Sequence, residues 1–304
     1  MRVLVLGADG FVGGRVMAAL ATSGWATPVA GSRRARSSGG GERIVLDATD
    51  AAALKSALAS VDAVVNCIAG DAETIRRNAE ALFGVAGDRR IVHLSSMAVY
   101  GGVNGRVGEE TPLSDAAGPY GDAKVAAERG ATANTVLLRP GCIYGPGSTQ
   151  WSLRIAKLLD QRRVGDLGAA GDGCSNVVHV DDVVAAILAA LRSGQGAYNL
   201  AMADAPDWNG YFLAFARALG AVPIRRVPGW QLRLDSKIVA IPLKLAERVT
   251  GALPPPIPPS LARLWAQDLR LDAGRATREL GIAWTPLERG VADAAAWCRA
   301  QTAR

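Results

Sequence analysis

The sequence has few of the residues from which metal sites and disulfides are built. Its 304 residues include only four cysteines and two histidines, and no two cysteines have the CxxC spacing. This count and spacing exclude a zinc site of cysteines and histidines, and they also exclude an HExxH site. A Ser-His-Asp triad would have to use His93 or His179. We therefore expect no metal centre.

The sequence also lacks a hydrophobic run long enough to cross a membrane. The longest aliphatic runs, such as Val183 to Leu191, are far shorter than the roughly 20 residues that a spanning helix needs. The chain reaches Asp9 and Gly10 too early for the apolar core of a signal peptide. We expect a cytoplasmic protein without a membrane partner.

Lysine and aromatic residues are scarce as well. Aromatic residues make up 5% of the chain, and arginine supplies nearly all of the positive charge behind the net charge of +6. The basic residues do not form the clustered, aromatic-interleaved stripe that is typical of nucleic-acid-binding chains. Arginine that accompanies many alanines and glycines indicates a coding bias instead. We expect no nucleic-acid partner.

What the sequence does have is an alternation of short apolar runs and helical stretches. Hydrophobic residues make up 49% of the chain, which is a globular composition, and 304 residues suggest about two domains. Strand-like apolar runs occur at Arg2 to Leu6, Ala26 to Ala30, Ile44 to Leu46, Ala63 to Cys67, Ile91 to Leu94 and Thr135 to Leu138. This alternation predicts an α/β fold with a doubly wound parallel (Rossmann) sheet and helices on both faces.

A glycine-rich turn follows the first apolar run. Gly7, Gly10 and Gly13 form a GxxGxxG pattern between a strand and a helix predicted from about Phe11 to Ser23. The first two glycines let the backbone tighten and approach a pyrophosphate, and the third lets the helix pack against the strand. The helix N-terminus offers N–H groups and partial positive charge to phosphates. The turn therefore predicts binding of a dinucleotide.

The end of the second strand bears on the choice between NAD and NADP. NAD sites usually place an acidic residue there to accept from the ribose 2′-OH, whereas this chain has Gly31, Ser32, Arg33 and Arg34 and offers no carboxylate. Guanidinium groups suit the geometry of a 2′-phosphate, so we favour NADP (NADPH), with NAD left as possible. The alternative is a pair of solvated arginines in a basic loop.

A carboxylate also follows the third apolar run. Asp47 and Ala48 come directly after Ile44 to Leu46, where the Asp47 side chain would meet the edge of an adenine. The alternative is that Asp47 caps the following helical segment, a role for which Asp50 competes. The pattern leaves both interpretations open.

Candidate catalytic residues follow the strand Ile91 to Leu94. Ser95 and Ser96 come at its carboxyl end, where side chains of a doubly wound sheet face the ligand crevice. Tyr120 and Lys124 form a YxxxK pair on one face of a predicted helix. A cationic Lys124 would lower the pKa of Tyr120 from about 10, so that Tyr120 could exchange a proton with a substrate carbonyl oxygen. Ser96 would donate a hydrogen bond to that oxygen and polarise the carbonyl group. The alternative for the pair is an exposed Tyr/Lys helix face.

The second half of the chain has a less regular pattern. After about Tyr144 it is interrupted by proline and glycine, and Leu253 to Pro259 is a stiff, proline-rich segment. We interpret this half as a smaller, mostly helical substrate region, with one helix after Asp182 returning to the main sheet. The predicted dinucleotide-binding domain is 1–150 plus about 176–200, and the predicted substrate-binding region is about 151–175 and 201–304.

Taken in order, these motifs resemble those of the extended short-chain dehydrogenase/reductases, of the NAD-dependent epimerase/dehydratase type. The resemblance covers nearly the whole length. Beyond the motifs above, it includes Val64 to Ala69, Leu94 to Gly101, Arg139 to Gly147, His179 to Asp182 and Glu279 to Pro286. It implies that Ser96, Tyr120 and Lys124 are catalytic. It also implies a homodimer built by helices around 52–82 and 119–130.

Motifs and resemblance together give a set of expected cofactor contacts. These are Gly7, Gly10, Phe11, Val12, Gly13, Ser32, Arg33, Arg34, Asp47, Ala48, Cys67, Ile68, Ala69, Tyr120, Lys124 and Pro140. The resemblance places Pro140 beside the nicotinamide and lets Lys124 orient the nicotinamide ribose.

The resemblance implies an oxidoreductase, and together with the preference for NADP(H) it leads us to expect an enzyme that reduces a ketone or aldehyde carbonyl, or oxidises the alcohol. The alternative is a sugar or nucleotide-sugar epimerase with a retained NAD(P), which would use the same residues. A non-catalytic nucleotide-sensing protein is a third hypothesis, but such proteins have usually lost the tyrosine or the lysine, and both are present here. The expected partner is a small-molecule carbonyl, alcohol or sugar.

Three departures from the family pattern restrict this implication. Met97 and Ala98 stand where the 4,6-dehydratases have an Asp-Glu pair, so we do not expect dehydration. Ser175 stands where nucleotide-sugar members often have an arginine for the diphosphate. Other arginines that could substitute are Arg162, Arg163, Arg225 and Arg226. The segment Ile238 to Arg263 resembles members that act on less polar carbonyls, and its alternative is a hydrophobic core helix.

Overall fold

A computed structural model describes residues 1–35, 41–239 and 255–302 of the chain. Its strands are β1 (Arg2–Leu6), β2 (Thr27–Ser32), β3 (Glu42–Val45), β4 (Ala63–Asn66), β5 (Arg90–Leu94), β6 (Gly105–Val107), β7 (Thr135–Pro140), β8 (Cys142–Tyr144), β9 (Val177–His179), β10 (Gly196–Leu200) and β11 (Leu269–Leu271). Seven of them form one parallel sheet in the order β10-β7-β5-β4-β1-β2-β3. This is the predicted doubly wound sheet.

Eleven α-helices are described in these ranges. They are α1 (Phe11–Thr22), α2 (Ala51–Leu58), α3 (Ala72–Val85), α4 (Gly118–Arg129), α5 (Arg154–Asp160), α6 (Val180–Arg192), α7 (Trp208–Leu219), α8 (Gly229–Leu234), α9 (Pro259–Ala266), α10 (Gly274–Leu280) and α11 (Leu287–Thr302). Met97–Tyr100 forms a short 3₁₀ turn after β5. None of the described helices is long and apolar enough to cross a membrane.

The inner strand β1 shows why the sheet is covered on both faces. Val3 and Val5 pack in the cluster that includes α1 and α6, whereas Leu4 and Leu6 pack in the cluster that includes α2 and α3. All four side chains have 0% exposure. A strand that is buried on both faces has an unbroken apolar sequence rather than an alternating one, which is the pattern the sequence has here.

The sheet order places a ligand crevice between two strands. From β1 the chain first continues outward through β2 and β3, and then returns to β4 on the other side of β1. Ligands of open α/β sheets bind at such a reversal, beyond the carboxyl ends of the strands. The glycine-rich turn after β1 and the residues after β4 therefore meet at one edge of the sheet.

The remaining elements form a second, mostly helical region with its own core. Its largest fully buried side chains are aromatic, and they include Trp208, Trp265 and Phe212. The helix predicted after Asp182 is α6, which begins earlier, at Val180, because His179 caps it, and it packs against β5 and β7. β10 also joins the main sheet, beside β7. The boundaries proposed for the two domains, and the homodimer through the helices around 52–82 and 119–130, remain predictions.

Two expectations from the sequence concern residues that are only partly described. Residues 253 and 254 of the proline-rich segment lie outside the described ranges. The same holds for residues 240–254 of the segment Ile238 to Arg263, for which we expected a resemblance to members with less polar substrates. That expectation is left as a prediction.

Candidate active site

A large cavity runs along the carboxyl edge of the sheet and into the helical region. Its volume is about 2190 Å³. Every residue that we expected to contact the cofactor, and each of the catalytic candidates Ser96, Tyr120 and Lys124, lines it. The structure therefore brings the whole predicted set together, although its roles remain predictions.

The glycine-rich turn forms one end of the cavity. Gly7 has φ +77°, a conformation that residues with a side chain rarely adopt, and a Cβ on Gly13 would lie 2.1 Å from the Gly7 carbonyl oxygen. Helix α1 begins at Phe11 without a side-chain cap. The N–H groups of a first helical turn have no partner within the helix, so they are available to an anion. The close approach and the open helix end fit a pyrophosphate.

The end of β2 differs from the expectation in one respect. We expected no carboxylate there, but Asp9 reaches this place from the glycine-rich turn. The Ser32 hydroxyl donates to the Asp9 carboxylate, and Arg43 donates to both of its oxygens at 3.0 and 3.2 Å. The expectation was wrong because it considered only the residues that end the strand. Arg33 and Arg34 lie exposed at the cavity rim.

The two interpretations of Asp47 are separated by its hydrogen bonds. Oδ1 of Asp47 accepts from the backbone N–H and the hydroxyl of Thr49, both at 2.9 Å, and these bonds lower the pKa of the carboxyl group. The cap of α2 is Asp50, which accepts from Ala52 N–H at 2.8 Å. Asp47 therefore organises a turn at the cavity wall and does not cap the helix.

Ser96 and Tyr120 approach each other through close packing of backbone. Ser96 caps the 3₁₀ turn by accepting from Ala98 N–H at 3.1 Å. A Cβ on Gly121 would lie 2.8 Å from the Ala98 carbonyl oxygen, so glycine there lets α4 lie directly on this turn. Tyr120 as a whole residue is 45% exposed, and it lines the cavity.

The acidity of Tyr120 is opposite to the expectation. Burial of the phenol raises its pKa above the ordinary value, and a hydrogen bond with Ser96 opposes this only in part. We expected Lys124 to lower that pKa, but the Lys124 ammonium donates to the Leu94 carbonyl at 2.7 Å. In this state of the site the cation is held by the backbone rather than by the phenol. Tyr120 is therefore a proton donor near neutral pH.

Lys124 itself is strongly affected by its surroundings. Its side chain is 2% exposed, and burial lowers its pKa to about 8, with Cys67 and Glu128 acting in the opposite direction. Burial also raises the pKa of the Cys67 thiol to about 12, so no reactive thiolate lies beside it. Cys67, Ile68 and Ala69 form the cavity wall after β4.

A buried charged network lies behind the catalytic candidates. Glu128, one helical turn after Lys124, accepts from the Ser95 hydroxyl at 2.5 Å and from Arg139 at 2.6 Å. Arg139 in turn donates to the Tyr100 hydroxyl at 2.8 Å. The network thus connects the segments before Ser96, after Lys124 and before Pro140. The sequence did not predict this network. Its one local signal is the four-residue spacing from Lys124 to Glu128, which places both on one helix face but does not indicate Arg139 as a partner.

The other half of the cavity has mixed walls. Met97, Trp151 and Leu264 supply apolar surface, Asn176 and Gln267 supply amides, and Arg263 of α9 supplies positive charge. The four arginines proposed as substitutes for a diphosphate-binding arginine do not fill that role. Arg163 pairs with Asp235, Arg226 pairs with Asp166, Arg225 donates to Gln231, and neither these nor Arg162 belong to the described lining.

Arg263 was missed by sequence analysis. It follows a proline-rich segment, and nothing in its local sequence marks it as a ligand residue. It reaches the cavity only because α9 packs beside the 3₁₀ turn Gly168–Gly171. This packing joins segments about 90 positions apart, so the local sequence around Arg263 does not predict it.

Comparison with known proteins identifies similar chains by sequence pattern and by structure. The model of the family described as "NAD dependent epimerase/dehydratase family" matches residues 3–201. No curated protein matches the chain.

Solved structures match over nearly the full length. The UDP-glucose 4-epimerase of Thermotoga maritima with UDP-glucose is 19% identical, with a TM-score of 0.74, covering 99% of this chain and 100% of that chain. The UDP-glucuronic acid 4-epimerase of Bacillus cereus with UDP-glucuronic acid and NAD is 16% identical, with a TM-score of 0.72 and the same coverage. The UDP-glucose 4-epimerase of Bifidobacterium longum with NAD+ and UDP is 18% identical, with a TM-score of 0.72, covering 99% of each chain.

Proposed function

The chain belongs to the NAD-dependent epimerase/dehydratase family, and from this premise we propose that it is an epimerase of a sugar or nucleotide sugar. In this reaction a hydroxyl-bearing carbon is oxidised and then reduced from the other face on a retained nicotinamide cofactor. The observation that carries the proposal is that Ser96, Tyr120 and Lys124 share one cavity with the glycine-rich turn. The similar structures named above include epimerases that bind NAD and UDP-sugars, which supports this choice over a carbonyl reductase.

Each catalytic candidate has a distinct task in this reaction. A nicotinamide bound in the cavity would accept the hydride and return it. Tyr120 lines the cavity as a phenol, which is the form that returns the proton in the reduction step. In the oxidation step it would take the hydroxyl proton as a phenolate, which the Lys124 cation would favour once it turns towards the cofactor. Ser96 donates a hydrogen bond to the same oxygen and stabilises the charge that develops there. Lys124 would exchange its hydrogen bond to the Leu94 carbonyl for one to a hydroxyl of the nicotinamide ribose.

The size and charge of the cavity favour a nucleotide sugar as the substrate. Its volume of about 2190 Å³ exceeds the roughly 300–1,000 Å³ of a pocket for one small ligand. It therefore has room for a dinucleotide and a second large ligand. Arg263 lines the half away from the glycine-rich turn, and a guanidinium suits the bidentate geometry of a diphosphate. Arg263 thus replaces the arginine that Ser175 does not provide.

A second candidate function is favoured by the apolar walls. Met97, Trp151 and Leu264 would suit a less polar ketone or aldehyde reduced by NADPH. Dehydration is not proposed, because Met97 and Ala98 line the cavity where an acid and a base would be needed.

The test is the nucleotide content and the reaction of freshly purified protein. We expect denaturation to release close to one equivalent of NAD or NADP, and we expect UDP-glucose to be converted into its 4-epimer without added cofactor. Chromatography measures both. Protein that is empty, leaves UDP-sugars unchanged and consumes NADPH with a ketone would favour the reductase. Protein that binds neither cofactor would contradict both functions.

Removal of one hydroxyl tests the catalytic assignment. Tyr120→Phe should lower the turnover number by about 10²- to 10⁴-fold with cofactor binding retained, since the proton donor is lost. Tyr144→Phe is the matched control, because the Tyr144 hydroxyl is buried without a hydrogen-bond partner among the described residues and does not line the cavity. Equal turnover in Tyr120→Phe and the native protein would overturn the assignment.

A further inference from the structure

We propose that Asp9 selects the cofactor, with its carboxylate accepting from the adenosine ribose of NAD and disfavouring the 2′-phosphate of NADP. This inference rests on the proposed function, since it requires that the cavity bind a nicotinamide dinucleotide. It replaces the preference for NADP that followed from Arg33 and Arg34 alone. The assignment is a specificity-determining role for a residue of the glycine-rich turn.

The position of Asp9 is the first part of the argument. Asp9 lies between Gly7 and Gly10, and its side chain crosses to Ser32 at the carboxyl end of β2, whose hydroxyl donates to it. In doubly wound folds an acidic residue that binds the ribose comes from that end of the second strand. Here the strand end has no acid, and the turn places one against it. The Asp9 side chain is 28% exposed and lines the cavity.

The partners of Asp9 fix its carboxylate in this place. Arg43 on β3 donates to Oδ1 at 3.0 Å and to Oδ2 at 3.2 Å, and also to the Arg34 carbonyl. The turn, the end of β2 and β3 are thereby joined through one side chain. Arg43 lies behind Asp9, outside the described lining of the cavity, so its charge is directed to Asp9 rather than to a ligand. A carboxylate held by two partners is preorganised to accept a further hydrogen bond.

The exposed arginines do not reverse this preference. Arg33 and Arg34 lie at the rim, where water and salt screen their attraction for a phosphate. The carboxylate-bearing side chain of Asp9 is about three-quarters covered, so its repulsion of a 2′-phosphate is screened less. A neutral ribose hydroxyl escapes this repulsion and gains a charged acceptor.

The experiment compares the affinities for NADH and NADPH by calorimetric titration of folded protein from which the retained nucleotide has been removed. We expect the native protein to bind NADH at least about tenfold more tightly, and Asp9→Asn to lose about tenfold in NADH affinity while gaining affinity for NADPH. Asparagine keeps the size and an acceptor oxygen, so the contact with Ser32 is retained. The control is Glu42→Gln, which removes a negative charge next to Arg43 from a residue that pairs with Arg2, away from the cavity lining.

The outcomes separate this inference from the proposed function. If both cofactors bind and Asp9→Asn leaves the ratio of their affinities unchanged, the role of Asp9 is overturned and the function stands. Tighter binding of NADPH than of NADH by the native protein would also overturn the role of Asp9 and leave the function standing. If the native protein binds neither cofactor, the proposed function fails. Asp9→Ser, which also keeps an acceptor without the charge, gives the same reading if Asp9→Asn does not fold.

Discussion

Two carboxylate–guanidinium pairs flank the cavity, and they differ chiefly in burial. Glu128 and Arg139 lie behind the catalytic candidates with side chains 2% and 7% exposed, at 2.6 Å. Asp9 and Arg43 lie beside the glycine-rich turn with side chains 28% and 24% exposed, at 3.0 Å. Glu128 and Arg139 join α4 to the following strand β7, 11 positions apart, whereas Asp9 and Arg43 are 34 positions apart. Both pairs join a carboxylate to a guanidinium, but only Asp9 of the second pair lines the cavity, where a ligand can reach it.

This difference in burial separates two uses of an ion pair. The oxygens of Glu128 are occupied by Ser95 and Arg139, away from ligands, so this pair holds the segments of the site in place. Asp9 keeps part of its surface in the cavity, so its pair can discriminate between ligands. Removing one partner of a buried pair costs several kcal/mol of stability, because the remaining charge is cut off from water. Removing one partner of an exposed pair costs little, because water solvates the remaining charge.

The largest expected effect tests the buried member of this comparison. Glu128→Ala should lower the free energy of unfolding by about 3–5 kcal/mol, because it leaves the Arg139 guanidinium buried without its carboxylate. Urea unfolding followed by circular dichroism measures this loss. Replacing both partners, as Glu128→Gln with Arg139→Met, should cost less than the single change, since no unpaired charge remains.

The control for this prediction is another pair in the same protein. Glu42 and Arg2 lie 2.6 Å apart with side chains 43% and 42% exposed. Glu42→Ala should cost at most about 1 kcal/mol, because solvent screens exposed pairs. Similar losses for Glu42→Ala and Glu128→Ala would remove burial as the explanation of the difference.

A smaller effect concerns Lys124, the cation next to the buried pair. The folded state lowers its pKa to about 8 from an ordinary value near 10.5. Between these two values the unfolded chain binds more protons than the folded one, so the contribution of Lys124 to stability rises with pH. Below pH 8 both states are protonated, and the burial of the ammonium carries its full cost.

The measurement is the difference in unfolding free energy between the native protein and Lys124→Met, at pH 7 to 10.5. Lys124→Met should be favoured over the native protein most strongly below pH 8, and this advantage should shrink by about 3 kcal/mol towards pH 10.5. Lys55→Met, at an exposed position of α2, controls for the loss of a surface cation. A difference that does not vary with pH would contradict the buried, weakly basic Lys124.

The fold and the family were predictable because their signals are local. Strand β1 was predicted with its observed bounds, and α1 was predicted to within one residue of Phe11–Thr22. Fully buried parallel strands produce apolar runs, and the glycines of the turn are required by backbone contacts a few residues away. The family match confirms the resemblance to the extended short-chain dehydrogenase/reductases that these motifs indicated.

The parts of the site that were not predictable depend on tertiary contacts. Asp9 was visible in the sequence as the residue before Gly10, but its contact with Ser32 spans 23 positions. The pairing of Glu128 with Arg139 and the arrival of Arg263 in the cavity likewise follow from packing. The predicted direction of the pKa change at Tyr120 was wrong for the same reason. The Lys124 ammonium donates to the Leu94 carbonyl, and burial raises the pKa of the phenol.

The smallest expected effect extends the comparison to an exposed carboxylate that has no guanidinium partner within salt-bridge distance among the described residues. Asp47 lines the cavity, and Thr49 occupies its Oδ1 through two hydrogen bonds. Asp47→Asn keeps an acceptor for Thr49 and removes only the charge. If the adenine amino group donates to Asp47, the Kd of the cofactor should rise about fivefold, which is the difference between a charged and a neutral acceptor. An unchanged Kd in the same calorimetric titration would show that the Asp47 side chain only organises the turn, and selection of the cofactor would then depend on Asp9, which Ser32 and Arg43 hold in place.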